Sequence, residues 1–580
     1  IPELTQEAFL DFHRRYYHPS NSYIYLYGDM DSVAELDFID KEYLSDFDYL
    51  DIDSSLKDEP CFEKPQSVTE YYSLSDADSE EDNTYLAYNV VVGKSLDKKL
   101  CTAMSVLEHA LLIAPGAPLK KALIDAGIGK DVFSSFDDGI KQPTFSIIAK
   151  NANASDEERF IEIIDDTLRK LVNEKINKRS LTAAVNSFEF KHKEANFGRF
   201  PKGLMLGLNA FGTWLYDDGH ALDLFFMNEV YDELKKDIET DYFEQLIETY
   251  LLDNKHKSYV KLVPEKGLNA KREAAEKAKL SEYKARLSED DINKLIADEK
   301  HLKEYQSEPS TKEELETIPL LAISDIDRTA RKIKNNFSEI EMVKVVSHKI
   351  FTNGISYLTL NFDITDLDQD KLPVASLLTD IFKYVDTENY SYNELANEIN
   401  IHTGGIGFAT TVTNKKEKDK YIVQFIVNAK MLDDKVDKGM ELISEILFTS
   451  KLDDKKRLRE IVAESHANLK NDLVSAGHTT AAGRAISYVS PIGVVKELTE
   501  GIDYYKYLEL INNDFDNQYG KLVDDLKTVL GEILWRNGLE ISYTSDCEPE
   551  NVLKASVTNL SKRLSSRLSY ENAKKISPCA

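Results

Sequence analysis

Proline and glycine are scarce in this chain, 15 and 24 in 580 residues, which excludes a collagen-like, low-complexity or largely disordered polypeptide. Cysteine is rarer still. Cys61, Cys101, Cys547 and Cys579 are scattered without CxxC spacing, so neither a disulfide framework nor a cysteine zinc site is expected, and a reducing compartment is mildly preferred. Basic residues are in deficit: 72 Lys plus Arg against 102 Asp plus Glu leave a net charge of −30. Such a field repels phosphate backbones and anionic lipid heads, so no nucleic-acid partner and no membrane partner are expected. No apolar run approaches the roughly 20 residues that span a bilayer. The opening IPELTQEAFLDF lacks the basic start and apolar centre of a signal peptide. The expectation is a soluble, cytoplasmic chain. What is present, 42% hydrophobic and 30% charged residues, is a globular composition, and the length argues for about three to five domains.

The chain resembles itself along its length. FLDFHRRYYHPSNSYIYLYGD reads as a helix ending before Pro19, a turn through Ser20 and Asn21, and a strand from Tyr23 to Tyr27 closed by Gly28. YFEQLIETYLLDNKHKSYVKLVPE repeats the form, with a helix to about Leu252 and a strand around Tyr259 to Val263. LKTVLGEILWRNGLEISYTSD does so again, with Asn537 and Gly538 stopping the helix before a strand at Leu539 to Tyr543. Each is the closing unit of a domain. Tyr23 to Tyr259 spans 236 residues and Tyr259 to Ile541 spans 282, so an insertion is expected in the second interval.

The bodies between these closures repeat as well. A strand at Tyr85 to Val92 precedes a helix with Leu100, Met104, Leu107 and Leu111 at helical spacing. A short helix PLKKALIDAG, the Gly127 and Gly129 turn, a strand at Phe145 to Ala149 and a helix opened by a Ser155/Glu158 capping box follow. The second copy has Leu358, Leu360 and Phe362 on one strand face, a helix begun by Pro373, a short helix SYNELANEI, then Gly404, Gly405 and Gly407. The strand YIVQFIVNA and a helix bearing Leu432, Val436, Met440 and Ile443 complete it. The pairs Tyr85 with Tyr357, Leu119 with Leu395 and Phe145 with Ile422 lie 272 to 277 apart, and gene duplication is the economical explanation. The insertion is the Ala-, Glu-, Lys- and Leu-rich stretch from Pro264 to about Gln306, broken near Ser288 with Asp291 offering a second cap: a charged helical hairpin, sufficient as a spacer. The first closing unit arrives after about 28 residues, so the chain is expected to be a fragment whose first body is missing.

No HExxH and no HxxEH occurs. The nearest approach is Ser105-Val106-Leu107-Glu108-His109. In an HxxEH site two histidines one helical turn apart bind zinc and the glutamate polarises the bound water. Here Ser105 stands in the leading histidine position. Ser105, Glu108 and His109 share a helical face, but one imidazole and one carboxylate make a poor zinc site, and His109 reads as an ordinary helix histidine. His301 begins a similar string that ends in Tyr305. His13 and His18 are five apart and face differently. Gly127-Ile-Gly129-Lys-Asp131 resembles a phosphate loop but lacks the first glycine and the hydroxyl residue, and follows a helix, so it is a turn. No GxSxG and no cysteine with a neighbouring histidine is present. No catalytic, cofactor-binding or metal-ligating residue is assigned in this chain.

Several strings nevertheless resemble the pitrilysin-type zinc metallopeptidases, in particular the presequence protease subfamily. Leu119-Lys-Lys-Ala-Leu-Ile-Asp-Ala-Gly-Ile-Gly-Lys-Asp131, introduced by Pro115-Gly-Ala-Pro118, is similar to that subfamily's second domain. Thr352-Asn-Gly-Ile-Ser-Tyr357, Asn393-Glu-Leu-Ala-Asn-Glu-Ile399, Thr403-Gly-Gly-Ile406, and Ser475-Ala-Gly-His478 with Arg484-Ala485 are similar to its third. His18-Pro-Ser-Asn21 through Gly28-Asp29 is similar to the end of its first.

The resemblance implies tandem related α+β domains, each a largely antiparallel sheet backed by helices, joined by a helical hairpin. The expected boundaries are 1–50 for the end of a first domain, 65–262 for an inactive second, 263–325 for the linker, 340–546 for a third, and 547–580 for a tail or the start of a fourth. It also implies a zinc endopeptidase that degrades short unfolded peptides in a closed chamber. The HxxEH zinc site would belong to the missing first domain and the substrate-positioning Arg and Tyr to the missing fourth, so no zinc is expected in this chain. The alternative is a non-catalytic pitrilysin-like subunit or peptide-binding scaffold.

Overall fold

The computed structural model describes all residues except 1–2, 319, 331, 418–419, 567–575 and 577–580, so Cys579 lies outside the described residues. Two sheets organise it, and both arise from alternation. In strand β2 (Thr84–Val91) Leu86, Tyr88 and Val90 are buried while their neighbours face outward; in β8 (Ile355–Asp363) Leu358, Leu360 and Phe362 do the same. The first sheet adds β1 (Gln66–Leu74), β3 (Asp131–Asp137), β4 (Thr144–Ala152) and β5 (Lys257–Lys266). The second comprises β6 (Asn336–Ile340), β7 (Val343–Lys349), β8, β9 (Gly405–Asn414), β10 (Tyr421–Leu432) and β11 (Leu539–Ser545).

Helices α1 (Gln6–Tyr16) and α2 (Ser32–Glu42) precede the first sheet. The first unit then carries α3 (Lys98–Glu108), α4 (Pro118–Asp125), α5 (Glu157–Glu174), α6 (Lys178–Glu194), α7 (Lys202–Trp214), α8 (Asn228–Asp237) and α9 (Tyr242–Leu246). Between the units run α10 (Leu268–Arg286), α11 (Glu289–Ser307) and the short α12 (Lys312–Glu316). The second unit carries α13 (Leu372–Ile381), α14 (Tyr392–His402), α15 (Val436–Thr449), α16 (Lys455–Ser475) and α17 (Gly477–Ser487). It ends with α18 (Pro491–Thr499), α19 (Ile502–Asn513), α20 (Phe515–Ile533) and α21 (Pro549–Arg563). In each unit the helices bury their apolar stripes on one face of the sheet, as Phe160, Ile164 and Leu168 do along α5 and Val436, Met440, Ile443 and Leu447 along α15.

The two sheets share one topology. The first has the order β1-β5-β2-β4-β3, and the second β7-β11-β8-β10-β9 with β6 added outside β7. In both, the outer pair (β1 with β5, β7 with β11) is parallel and all the corresponding remaining pairs are antiparallel. The registers coincide too. Tyr85 faces Leu262 as Tyr357 faces Thr544, which reproduces the offsets of 272 and 282 read from the sequence. One correspondence moves. Val90 faces Phe145 and Phe362 faces Phe425, so the counterpart of Phe145 is Phe425 and not Ile422. Phe145 and Phe425 both point into their cores, whereas an odd shift of three turns the side chain to the opposite face.

Other expectations are corrected. Tyr23 to Tyr27 is paired with no strand among the described residues. Instead its rings lie on α7, where Gly203 and Gly207 leave room: a Cβ on Gly203 would sit 2.1 Å from Tyr27 Cδ1, and one on Gly207 2.7 Å from Tyr25 Cδ1. The capping box before α5 is formed by Asn153 and Asp156 rather than Ser155 and Glu158, because a single 3-10 turn precedes the helix. Residues 549–564 are no separate tail: Leu553, Val557, Leu560 and Leu564 complete the second core. The 262 boundary falls inside β5, which continues to Lys266. One helical stretch, residues 98–125, is long and apolar enough to cross a membrane, contrary to the sequence expectation, yet more than half of it is buried and its apolar side chains form the first core. Helices α10 and α11 bury no residue, and the Ser288/Asp291 box caps α11.

Candidate functional site

The helix carrying Ser105, Glu108 and His109 runs under the first sheet, but its three side chains do not converge. Ser105 Oγ donates to the carbonyl of Cys101, one turn back, at 3.1 Å. Glu108 turns toward β3 and the amide of Phe136, and burial raises its carboxyl above the ordinary range. His109 turns toward α6, with its ring edge-on to Phe188 at 6.3 Å and its Nδ1 buried without a partner among the described residues. Burial, reinforced by the Lys191 cation, lowers its pKa. The expected shared face is lost because the helix widens into a π-turn at His109–Ile113, where the Ala114 N–H donates to His109 O. This set does not fit zinc, and among the described residues no group of three or more His, Cys, Asp or Glu side chains is placed to hold a metal.

The other histidines have local roles or lie on open helices. His18 Nδ1 accepts from the Ser20 N–H at 3.1 Å and caps the turn after Pro19, His13 stacks on Tyr17 at 4.7 Å, and His301 lies on the exposed α11. Gly129, at φ +71°, turns the chain from α4 into β3; a Cβ there would lie 2.6 Å from Lys150 O.

The residues that the structure does bring together lie along a seam between the units, where α6 meets α14 and the outward face of the second sheet. Glu398, 6% exposed, pairs with Arg179 across it. Asn397 Nδ2 donates to Ser180 Oγ at 3.3 Å and Asn186 Nδ2 to Ile401 O at 3.2 Å. At the end of α6 the buried Glu194 takes Lys430 Nζ at 2.5 Å and the Tyr357 hydroxyl at 3.1 Å. Tyr357 is pushed up to about 12, first by burial and then by the Glu194 charge. The ring of Phe190 lies against Gly404. The strings Asn393–Ile399 and Thr403–Ile406 drew attention in the sequence, but nothing there indicated that they face another unit. Beside the seam, Tyr357, Thr359, Gly405, Gly407, Asn428 and Lys430 line an open groove of about 360 Å³ on the uncovered sheet face.

Comparison with known proteins accounts for this arrangement. Residues 3–188 match the family described as Peptidase M16 inactive domain, and residues 262–511 match the family described as associated with peptidase M16, subfamily C. The chain belongs to the pitrilysin-type, presequence protease-like family. It is 38% identical to Protein HypA of Clostridium perfringens over 97% of this chain and 57% of that protein. It is 30% identical to Presequence protease 1, chloroplastic/mitochondrial, of Arabidopsis thaliana over 94% of this chain and 51% of that one. The crystal structure of pitrilysin covers 96% of this chain and 54% of its own, at 13% identity and a TM-score of 0.45. The chain thus spans about half the length of the curated relatives it matches. Within the family, its first unit is of the inactive type.

Proposed function

We propose that this chain is the central, non-catalytic portion of a zinc-dependent endopeptidase that degrades short unfolded peptides in a closed chamber. The observation that carries the reading is the inactive-type unit itself: the helix bearing Ser105, Glu108 and His109 keeps its place in the core while its side chains point apart. In this reading residues 65–262 and 340–546 are the second and third domains, the uncovered sheet faces are chamber wall, and the seam holds the halves in register. Zinc would be held by residues of the longer polypeptide, and no step of the chemistry is assigned to this chain. An extended peptide laid on a sheet edge gains main-chain hydrogen bonds, and outward side chains such as Thr359 and Asn428 supply further contacts.

The test compares this chain with the full-length gene product on a basic peptide of about 20 residues, with metal analysis of both. The expected result is about one zinc per full-length protein, chelator-sensitive cleavage there, and neither zinc nor cleavage in this chain. Cleavage by this chain, with a zinc lost on His109→Ala, overturns the proposal; a full-length protein that binds the peptide without zinc makes it a binding scaffold.

A further inference from the structure

A second cavity, of about 320 Å³, lies within the seam and has no part in the peptidase reading. Asn186, Phe190, Lys193 and Lys235 wall it from the first unit, and His402 and Lys435 from the second. Its charge is unbalanced. Lys235 is held by Glu189 at 2.6 Å, with Asp232 at 3.9 Å. The other nearby carboxylates are engaged elsewhere: Glu398 with Arg179, Glu194 with Lys430, Glu441 with Lys438, and Asp433 with the hydroxyls of Ser356 and Ser545. Lys193 and Lys435 have no carboxylate within ion-pair distance among the described residues. His402 Nδ1 is buried without a partner, while its Nε2 lies 3.7 Å from Glu398. Burial and the cations Lys435, Lys438 and Arg179 hold this imidazole neutral. In a chain of net charge −30, such a pocket focuses anions.

We propose that this cavity binds a small oligophosphate anion, of the size and charge of pyrophosphate, which ties the first unit to the second. The volume is at the lower end of the roughly 300–1,000 Å³ of small-molecule sites. Lysines without an arginine fork suit phosphate, which accepts point charges from several directions, better than the planar bidentate pairing of carboxylates. The cations come from both units, so the anion bridges them, and His402 gains a proton as negative charge arrives beside it. None of this depends on the peptidase reading.

Calorimetric titration of the full chain with sodium pyrophosphate, at ionic strength held constant with chloride, tests it. One site per chain is expected, with citrate binding at least tenfold more weakly. Lys193→Met and Lys435→Met should each weaken pyrophosphate at least tenfold and abolish its effect on the melting temperature, whereas Lys277→Met on α10 should change neither. Titration in two buffers of different ionisation enthalpy should show proton uptake that disappears in His402→Gln. Should a methionine variant fail to fold, Lys435→Arg, which keeps the charge, should retain binding, and the proton uptake of the unaltered chain remains a readout. Absence of saturable binding, equal affinity for citrate, unchanged affinity in both methionine variants, or zero proton uptake overturns the proposal.

Discussion

The ring of Phe190, on helix α6, fills the space that a side chain on Gly404 would need: a Cβ there would lie 2.0 Å from Phe190 Cε1. The two residues belong to different units, so the contact sets how closely α6 approaches the second sheet. Gly404→Ala should push the ring away and destabilise the seam by about 1–3 kcal/mol, as overpacking does. Phe190→Leu in the same chain should recover part of the loss, and a double-mutant cycle by urea unfolding measures the coupling.

Glu194 is the buried acceptor for Lys430 and Tyr357, and its side chain is 4% exposed. Glu194→Gln should lower stability by about 1–3 kcal/mol, towards the low end because Lys430 is a third exposed and recovers hydration. The hydroxyl of Tyr357 should titrate at lower pH in the variant but stay above its ordinary value, since burial is the larger cause of its shift. Ultraviolet titration of the tyrosines checks both parts.

Much of the fold was legible in the sequence because alternation and helical spacing survive in a duplicated chain: the Tyr85–Tyr357 and Tyr259–Ile541 offsets reappear in the register. Phe145 was misaligned by three because YIVQFIVNA is apolar on both faces, leaving its parity undecided until Phe425 was seen to face Phe362. The divergence of Glu108 and His109 was hidden for another reason. A π-turn adds one residue to the ring closed by a backbone hydrogen bond, and no residue in His109–Ile113 announces it. The Tyr23–Tyr27 alternation was read correctly as extended, but a strand needs a neighbour, and the glycines of α7 receive these rings instead.

That last contact predicts its own sensitivity. Gly203→Val should displace Tyr27 and, through the stacked Tyr25, release the segment around residues 22–28 from α7. Limited proteolysis should cut that segment faster in the variant, while near-ultraviolet circular dichroism should lose aromatic signal. The first core, which contains neither tyrosine, should keep its unfolding midpoint to within about 1 kcal/mol.

His109 is neutral and buried, with a pKa lowered by that burial. Between its folded and unfolded values the unfolded chain binds more protons, so the contribution is intact above about pH 6.5 and is lost as pH falls through the lower folded value. Glu108, raised by burial, acts with the opposite sign at more acidic pH. His109→Gln should therefore make stability fall less steeply from pH 7.5 to pH 5.5. Urea midpoints at the two pH values, in both proteins, give the comparison.

In each sheet the strand made last is an inner one. β5 lies between β1 and β2, and β11 between β7 and β8. Tyr88 therefore waits for Tyr259, 171 residues later, before its strand gains its second neighbour. At roughly 5–20 residues per second that interval is about 10–35 s of synthesis. During this time β1 has no place to pair, and β2, with β4 and β3 beside it, shows an open edge. The parallel outer pairing thus makes each unit fold as a post-synthetic closure rather than by growth from its N-terminus. A chain interrupted shortly before residue 257 would carry an apolar sheet with a gap where a foreign strand could lodge, and the unit's solubility rests on ten residues that arrive at its end.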